Sequence, residues 1–210
     1  MRNWLMVALF AAHATAYAQA DIGLVNLVSG EVGLTSQSGQ PVKVKAFMKV
    51  REGDRFDVPP GAQVRVVFFE GARQERWQGP SSFRASRLKS SAISGSPAEV
   101  AALPAGVPQR IARVPELMQN ARLGGIQVRG VQPARKVQDS SVDEAKATYE
   151  RLRKELPGDD ITPELFLYSA LNEYQLYEDM APVVDEMLRK QPGNDDVKSL
   201  ASWLKTRRGR

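Results

Sequence analysis

The sequence predicts a segregated α+β protein, with an N-terminal all-β roll or sandwich followed by a C-terminal α-helical hairpin domain. Between residues 28 and 83, short β-branched or aromatic runs are separated by glycines, which is typical of antiparallel strands joined by tight turns. From Ser141 onward, apolar residues recur with the helical period of about 3.6. We therefore expect the following organisation: a signal peptide at 1–20, a β domain at 21–91, a proline-rich basic connector at 92–141, with or without packing on the β domain, and a helical domain at 142–207.

The first 20 residues have the features of an export signal. Arg2 supplies a short positive region, residues 4–12 are apolar, and Ala16-Tyr17-Ala18 fits a cleavage site of small residues. Ala18-Gln19-Ala20 fits nearly as well, so cleavage is expected after Ala18 or Ala20. This apolar run is shorter than the roughly 20 residues of a membrane span, and no later run is long enough. The mature protein is therefore expected in the periplasm or secreted, without an integral membrane span.

The β domain contains two contrasting strand patterns. Residues 42–47 alternate apolar and basic side chains, which predicts a strand with one solvent face. Residues 63–69 form a nearly continuous apolar run, which predicts a strand buried on both faces near the middle of the domain. Trp77 is expected in the core. Positive φ angles are expected at Gly53 and Gly71, because each follows an acidic residue at the end of an apolar run. The residues assigned to structural turns are Gly53, Asp54, Gly61, Gly71 and Gly79.

An ordered series of motifs over residues 24 to 87 resembles the FecR-like domain. The series consists of Gly30-Glu31-Val32, the Gly53-Asp54 turn after Val50, the strand from Gly61 to Phe68, Glu70-Gly71, and Gly79 to Phe83. The chain departs from the family pattern at Glu70, where aspartate is usual. It departs again at residues 58–60, where threonine often follows the strand.

This resemblance implies an all-β, roll-like domain of the bacterial envelope. In its namesakes the domain lies on the periplasmic side of a membrane-anchored sigma regulator. We expect neither the cytoplasmic segment nor the transmembrane helix of that architecture here, so sigma-factor signalling by this chain alone is not expected. Stand-alone exported members look like adhesion, sensing or envelope-assembly accessories.

The C-terminal part is expected to hold four helices. Ser141-Val142-Asp143-Glu144 has the pattern of a capping box, Thr162 is placed to cap a second helix with Pro163 in its first turn, and Asn194 to cap a fourth. Pro157-Gly158 recurs as Pro192-Gly193, an offset of 35 residues that is similar to the tetratricopeptide period. The region therefore resembles a degenerate tetratricopeptide-type hairpin, and a plain four-helix domain is the alternative. In the connector, residues 126–129 alternate and are a candidate late strand of the β domain.

Charge is distributed unevenly along the chain. Residues 21–138 contain 17 basic and 9 acidic side chains, whereas residues 139–196 contain 6 basic and 15 acidic. Two solvated surfaces, attraction between the two segments, and a basic face for an anionic envelope polymer all fit this pattern. Nucleic acid is not expected as a partner, because the basic stretches lack interleaved aromatic residues. The candidate basic interaction surface consists of Arg84, Arg87, Lys89, Arg110 and Arg113.

Residue types that commonly perform catalysis are scarce. The sequence has no cysteine, and its one histidine, His13, lies in the predicted signal peptide. This excludes cysteine nucleophiles and histidine-dependent triads from the mature chain. We expect a non-enzymatic periplasmic binding or adaptor protein without a cofactor or metal. Its FecR-like module would contact an envelope component, and its helices would contact a protein partner. The alternative is a binder of anionic cell-envelope polymer (peptidoglycan or polysaccharide) through a basic face.

Overall fold

The computed structural model describes residues 20–37, 39–123 and 139–208. In these residues ten strands precede six helices, so the segregated α+β class is confirmed. The strands are β1 (Asp21–Ser29), β2 (Gly33–Thr35), β3 (Pro41–Lys43), β4 (Lys49–Arg51), β5 (Arg55–Val58), β6 (Gln63–Phe68), β7 (Arg73–Gln78), β8 (Ser81–Ala85), β9 (Ser90–Gly95) and β10 (Glu99–Ala102). The helices are α1 (Val107–Ile111), α2 (Val114–Arg122), α3 (Asp139–Glu155), α4 (Thr162–Glu173), α5 (Tyr177–Lys190) and α6 (Asp195–Arg208).

The strands form two antiparallel sheets of five strands each. The inner sheet has the order β10-β7-β6-β1-β4, and the outer sheet has the order β3-β2-β5-β8-β9. Strand β6 lies at the centre of the inner sheet, and every residue from Val64 to Phe68 is buried. The prediction of a central strand buried on both faces is therefore confirmed.

A first hydrophobic core fills the space between the two sheets. The ring of Phe83 stacks on Phe56 at a centroid distance of 4.7 Å and on Trp77 at 4.5 Å. Val25 and Val66 project into the same core from the inner sheet. Trp77 is a core residue, as predicted, and its indole Nε1 donates a hydrogen bond to Ser90 Oγ at 3.0 Å.

A second hydrophobic core joins the other face of the inner sheet to the helices. Leu24 and Val67 point away from the sandwich core and belong to one cluster with Ile111, Leu165 and other helical side chains. Side chains alternate between the two faces of a strand, so adjacent residues such as Leu24 and Val25 enter different cores. The molecule therefore has three layers, in the order outer sheet, inner sheet, helices.

The predicted strand over residues 42–47 is only partly present. Strand β3 ends at Lys43, after which the buried Val44 donates a hydrogen bond from its N–H to the carbonyl of Val32. Phe47 adopts a positive φ of 61°, and its N–H donates to the carbonyl of Val25 in the inner sheet. The alternation fails as a predictor because the chain leaves the outer sheet here to reach the inner one.

Helix α4 is buried from Thr162 through Leu171, because α3 and α5 pack on it from two sides and α1 from another. Two capping predictions are wrong. Helix α3 begins at Asp139, so Ser141 lies inside it, and an acidic residue is favourable at that helix N-terminus. Thr162 makes no side-chain cap, because its hydroxyl faces the inner sheet. The Asn194 cap is confirmed by Oδ1, which accepts hydrogen bonds from the N–H groups of Asp196 and Val197.

Part of the 92–141 segment is built into the sheets and helices. Strand β9 continues to Gly95 along β8, and β10 pairs with β7 at the edge of the inner sheet. Helix α1 packs on α4, and α2 packs on α6. The candidate strand at 126–129 and the predicted signal peptide, apart from Ala20, lie outside the described residues. None of the helices in the described residues is both long and apolar enough to cross a membrane.

Candidate functional site: two exposed surfaces joined by a buried polar cluster

A buried polar cluster lies where the inner sheet meets the loop before α4. Asn26, Arg65 and Gln74 project from the neighbouring strands β1, β6 and β7, toward Asp160 and Thr162. Asp160 Oδ2 accepts a hydrogen bond from Gln74 Nε2 at 2.5 Å and lies 3.7 Å from Arg65 Nη1. Its Oδ1 accepts the N–H of Thr162 at 2.8 Å. We call these five residues the interface cluster.

A second buried group adjoins the interface cluster inside the helical layer. Glu164 is fully buried, and its Oε1 lies 2.8 Å from Lys190 Nζ and 3.2 Å from Arg153 Nε. Both cations also donate hydrogen bonds to the carbonyl oxygen of Asp160, which joins the two groups. The hydroxyl of Tyr149 donates to Glu164, and burial followed by the charge of Glu164 raises the pKa of Tyr149 to about 12.

These two groups are suited to holding the layers together rather than to binding a ligand. Asp160 and Glu164 are fully buried, and Arg65 is 1% exposed. Buried charges are tolerated only when they are paired and hydrogen-bonded, and each of these three has an ionic partner. A ligand could reach Asp160 or Arg65 only if the helices separated from the inner sheet, and Glu164 only if α3, α4 and α5 separated from one another. The exposed surfaces on either side are therefore the candidates for recognition.

The first exposed surface is the solvent face of the outer sheet. The backbone register aligns Thr35 with Arg55, Arg55 with Arg84, and Arg84 with Ser91 across four neighbouring strands. Residues directly opposite each other in an antiparallel pair project from the same face. Phe56 and Phe83, the next residues along β5 and β8, are buried in the sandwich, so Arg55 and Arg84 face solvent. We call these four aligned residues the arginine row.

The second exposed surface is a groove of ≈ 340 Å³ between α3, α4 and α5. Its floor includes the buried side chains of Leu167, Leu171 and Val183. Lys146 Nζ and Asp179 Oδ2 form an ion pair of 3.2 Å between α3 and α5, and both residues line the groove. This groove combines an apolar floor with a charged rim, which is the usual composition of a small binding cleft.

The predicted turn residues lie in turns or at strand ends of the β domain. Gly53 has a φ of 86°, and Gly61 has a φ of 76°. The positive φ expected at Gly71 is wrong: it is the next residue, Ala72, that adopts a φ of 44°. Glycine is still required at 71, because a Cβ there would lie 1.8 Å from the backbone oxygen of Leu88.

Two further turn residues are constrained by close contacts. Asp54 is buried, and its Oδ2 accepts the N–H of Arg51 at 2.8 Å. Burial, which outweighs this hydrogen bond, raises the pKa of the Asp54 carboxyl above its ordinary value. Gly79 approaches Pro59 so closely that a Cβ would lie 1.8 Å from the Pro59 oxygen.

The five predicted basic residues do not form one surface patch of free cations. Arg84 belongs to the arginine row, whereas Arg87 and Lys89 lie in the turn between β8 and β9. Arg110 and Arg113 both bind Glu173 of α4, the former at 2.9 Å. Arg65 pairs with Asp160, and Arg122 pairs with Asp196, in the same way. These ion pairs join the basic segment of the sequence, residues 21–138, to the acidic segment, residues 139–196.

Sequence reasoning missed Arg55, which lies opposite Arg84. The alternation of Arg55 and Asp57 with buried Phe56 and Val58 indicates which face Arg55 occupies, but not which strand lies beside it. Among the described residues, no group of three or more histidine, cysteine, aspartate or glutamate side chains is arranged to hold a metal ion. Comparison of the chain with protein families, with curated proteins and with solved structures finds no match.

Proposed function

We propose that the protein is an exported, non-enzymatic adaptor of the bacterial envelope, whose β module contacts an envelope component and whose helices contact a protein partner. The observation that carries the proposal is the three-layer arrangement. The inner sheet is covered on both faces, so the solvent face of the outer sheet and the α3–α5 groove belong to different layers. Two partners can therefore be bound at once without competing for the same residues.

The buried polar cluster supports this function because it fixes the helical layer, which carries the groove, on the inner sheet, and the sandwich core joins that sheet to the outer sheet with the arginine row. Arg65 of the inner sheet lies 3.2 Å from Asp159 and 3.7 Å from Asp160, both in the loop before α4. Gln191, just after α5, donates a hydrogen bond from Nε2 to the carbonyl of Asn26 at 3.3 Å. An adaptor whose modules are fixed in this way presents its two partners at a constant separation.

The predicted location rests on the sequence. The N-terminal pattern of an export signal and the resemblance of residues 24 to 87 to the FecR-like domain both favour the bacterial periplasm. The absence of cysteine and the position of His13 in the predicted signal peptide favour binding over catalysis. Turnover of a substrate from a broad hydrolase panel by the purified mature chain would contradict the non-enzymatic part of the proposal.

The groove suits a protein partner that inserts an apolar side chain beside charged groups. Leu167, Leu171 and Val183 would receive the apolar group, while Lys146 and Asp179 exchange their mutual ion pair for contacts with the partner. Such an exchange costs little, because the Lys146 and Asp179 side chains are 52% and 47% exposed and exposed ion pairs contribute about 1 kcal/mol or less.

The test blocks the groove without disturbing its floor. Pro182 lines the groove, is exposed, and lies inside α5, where proline cannot donate a backbone hydrogen bond. Pro182→Arg places a long side chain in the groove and is compatible with the helix. The matched control is Ser202→Arg, which adds the same charge at an exposed position of α6 outside the groove lining.

Tagged mature protein and both variants would be incubated with envelope extract, and captured proteins would be quantified by mass spectrometry. We expect Pro182→Arg to lose at least one protein that the parent and Ser202→Arg both capture. Identical capture by all three would show that the groove is not the partner site, provided that circular dichroism shows equal helix content.

A further inference from the structure

The solvent face of the outer sheet brings two arginines directly opposite each other. Arg55 and Arg84 are register partners on adjacent strands, and both are exposed. Directly opposed residues have Cβ atoms about 5 Å apart, and like charges in that relation destabilise the sheet. Folding stability does not account for this pair, whereas an anionic ligand bound across it would neutralise the two charges.

The charges around this pair leave it incompletely neutralised. Asp57 on β5 accepts hydrogen bonds from Arg55, with an ion-pair distance of 3.1 Å, and is 50% exposed. Arg84 donates only to the carbonyl oxygen of Gly53, at 3.3 Å, and has no carboxylate partner among the described residues. At the far end of the sheet, Lys43 is paired with Glu31 at 2.6 Å. The Arg84 guanidinium therefore carries a charge that no carboxylate in the described residues neutralises, and that of Arg55 is shared with an exposed aspartate.

Hydroxyl groups extend the arginine row on both sides. Thr35 lies beside Arg55, and Ser91 lies beside Arg84. Strands in a sheet are about 4.8 Å apart, so the row spans roughly 14 Å. A guanidinium binds a carboxylate through two parallel hydrogen bonds, and flanking hydroxyls can donate to and accept from neutral hydroxyl groups. The row therefore matches an extended ligand that carries both carboxylates and hydroxyls.

We propose that the arginine row binds a carboxylated polysaccharide chain, laid across the strands of the outer sheet. This proposal rests on the adaptor function, because it names the envelope component that the β module contacts. A lipid surface fits less well, since the row has no apolar side chain to enter the bilayer interface. Nucleic acid fits less well because the row has no aromatic side chain for base stacking.

The test measures binding of polygalacturonate oligomers to the mature protein by isothermal titration calorimetry at low and high salt. We expect the double variant Arg55→Gln with Arg84→Gln to bind roughly tenfold more weakly, because two charge-assisted contacts are lost. The control, Arg151→Gln with Lys205→Gln, removes the same charge from exposed positions on the helices and should bind like the parent. Raising the salt concentration should weaken binding by the parent.

A substitution that should strengthen binding, rather than weaken it, provides a second test. Asp57→Asn frees Arg55 from its internal partner, so we expect binding to become a few-fold tighter. Arg55→Lys with Arg84→Lys keeps the charge but loses the planar fork, and should lie between the parent and the double glutamine variant. Equal affinity of the parent and the double glutamine variant would overturn the proposal, as would weaker binding by Asp57→Asn.

Two further ligands distinguish other sources of negative charge. Tighter binding of polyphosphate than of polygalacturonate would overturn the assignment of a carboxylated ligand, and so would preferential binding to phosphatidylglycerol vesicles. None of these outcomes depends on the groove. Loss of polygalacturonate binding with normal protein capture would show that only this inference is wrong, whereas capture unaffected by Pro182→Arg would reject the groove and leave the arginine row untouched.

Discussion

Two adjacent aspartates offer a direct measure of how much the interface cluster stabilises the fold. Asp159 and Asp160 both pair with Arg65, but the Asp159 side chain is 49% exposed whereas that of Asp160 is fully buried. Substitution of each by alanine removes the same carboxylate from neighbouring positions of one loop. The two variants therefore differ chiefly in burial and in the number of partners that are left behind.

The structure indicates a large difference in free energy of unfolding between them. Asp160→Ala leaves Arg65, which is 1% exposed, without its buried counter-ion, and removes the acceptor of Gln74 Nε2 and of the Thr162 N–H. Removal of one partner from a buried ion pair costs about 3–5 kcal/mol. Asp159→Ala removes an exposed partner, for which the cost is about 1 kcal/mol or less.

Urea denaturation of the mature chain, followed by circular dichroism and tryptophan fluorescence, would measure both values. With a slope of roughly 2 kcal/mol per molar urea, Asp160→Ala should lower the midpoint by about 1.5–2.5 M, and Asp159→Ala by no more than about 0.5 M. In the parent, we also expect the unfolding transitions measured by circular dichroism and by tryptophan fluorescence to coincide. In Asp160→Ala they should separate, because the cluster joins the inner sheet to the helices. Equal midpoints for the two variants would refute the larger contribution of the buried Asp160 to stability.

Three further predictions use other parts of the structure. Gly71→Val should lower the free energy of unfolding by about 3 kcal/mol in urea denaturation, because its Cβ would collide with the Leu88 backbone oxygen; a parent-like midpoint would disprove the close approach. Burial raises the pKa of Asp54, so the folded state binds its proton more tightly than the unfolded state, and stability falls as pH rises from the ordinary pKa of 3.8 through the raised value. Asp54→Asn should therefore gain stability relative to the parent as the pH rises above 3.8, and a constant difference would contradict this sign. Glu173→Gln releases both arginines that Glu173 binds and should cost about 1 kcal/mol at roughly 0.1 M salt and less at 1 M; a salt-independent cost would show that packing, not charge, holds them.

The local pattern of residues was sufficient to predict several features of the fold. The apolar run at 63–69 indicated a strand buried on both faces, because neither face carries a regular polar alternation. Asn194 was identifiable as a cap, since asparagine precedes an acidic first turn and a new apolar stripe. Such features depend on residues a few positions apart, whose relation is determined by the geometry of one strand or helix.

Features that depend on pairing between distant segments were not predictable in the same way. Thr162 has the local pattern of a helix cap, but its hydroxyl donates to Gln74, which lies 88 residues away in sequence. Arg65 interrupts an apolar run, and nothing near it in sequence shows that Asp160 supplies its partner. Arg55 and Arg84 became a candidate site only when the register of β5 and β8 placed them side by side. In each case the partner of the residue is set by contacts between segments that are distant in sequence, which no local pattern of residues records.

The choice of polar residues at the layer interface has a consequence for function. An apolar interface between the inner sheet and the loop before α4 could be at least as stable, since buried ion pairs often contribute no more than well-packed hydrophobic groups. Hydrogen bonds, however, require defined distances and angles, so Gln74, Asp160 and Thr162 fit together in one arrangement only. Apolar side chains tolerate sliding, whereas this cluster would leave buried charges unpaired if the helices shifted. A fixed orientation is what a protein needs if it is to hold two partners at a constant separation. The buried cluster therefore contributes to the proposed adaptor function by fixing the helices and their groove on the inner sheet, while the sandwich core holds the outer sheet and its arginine row on the other face.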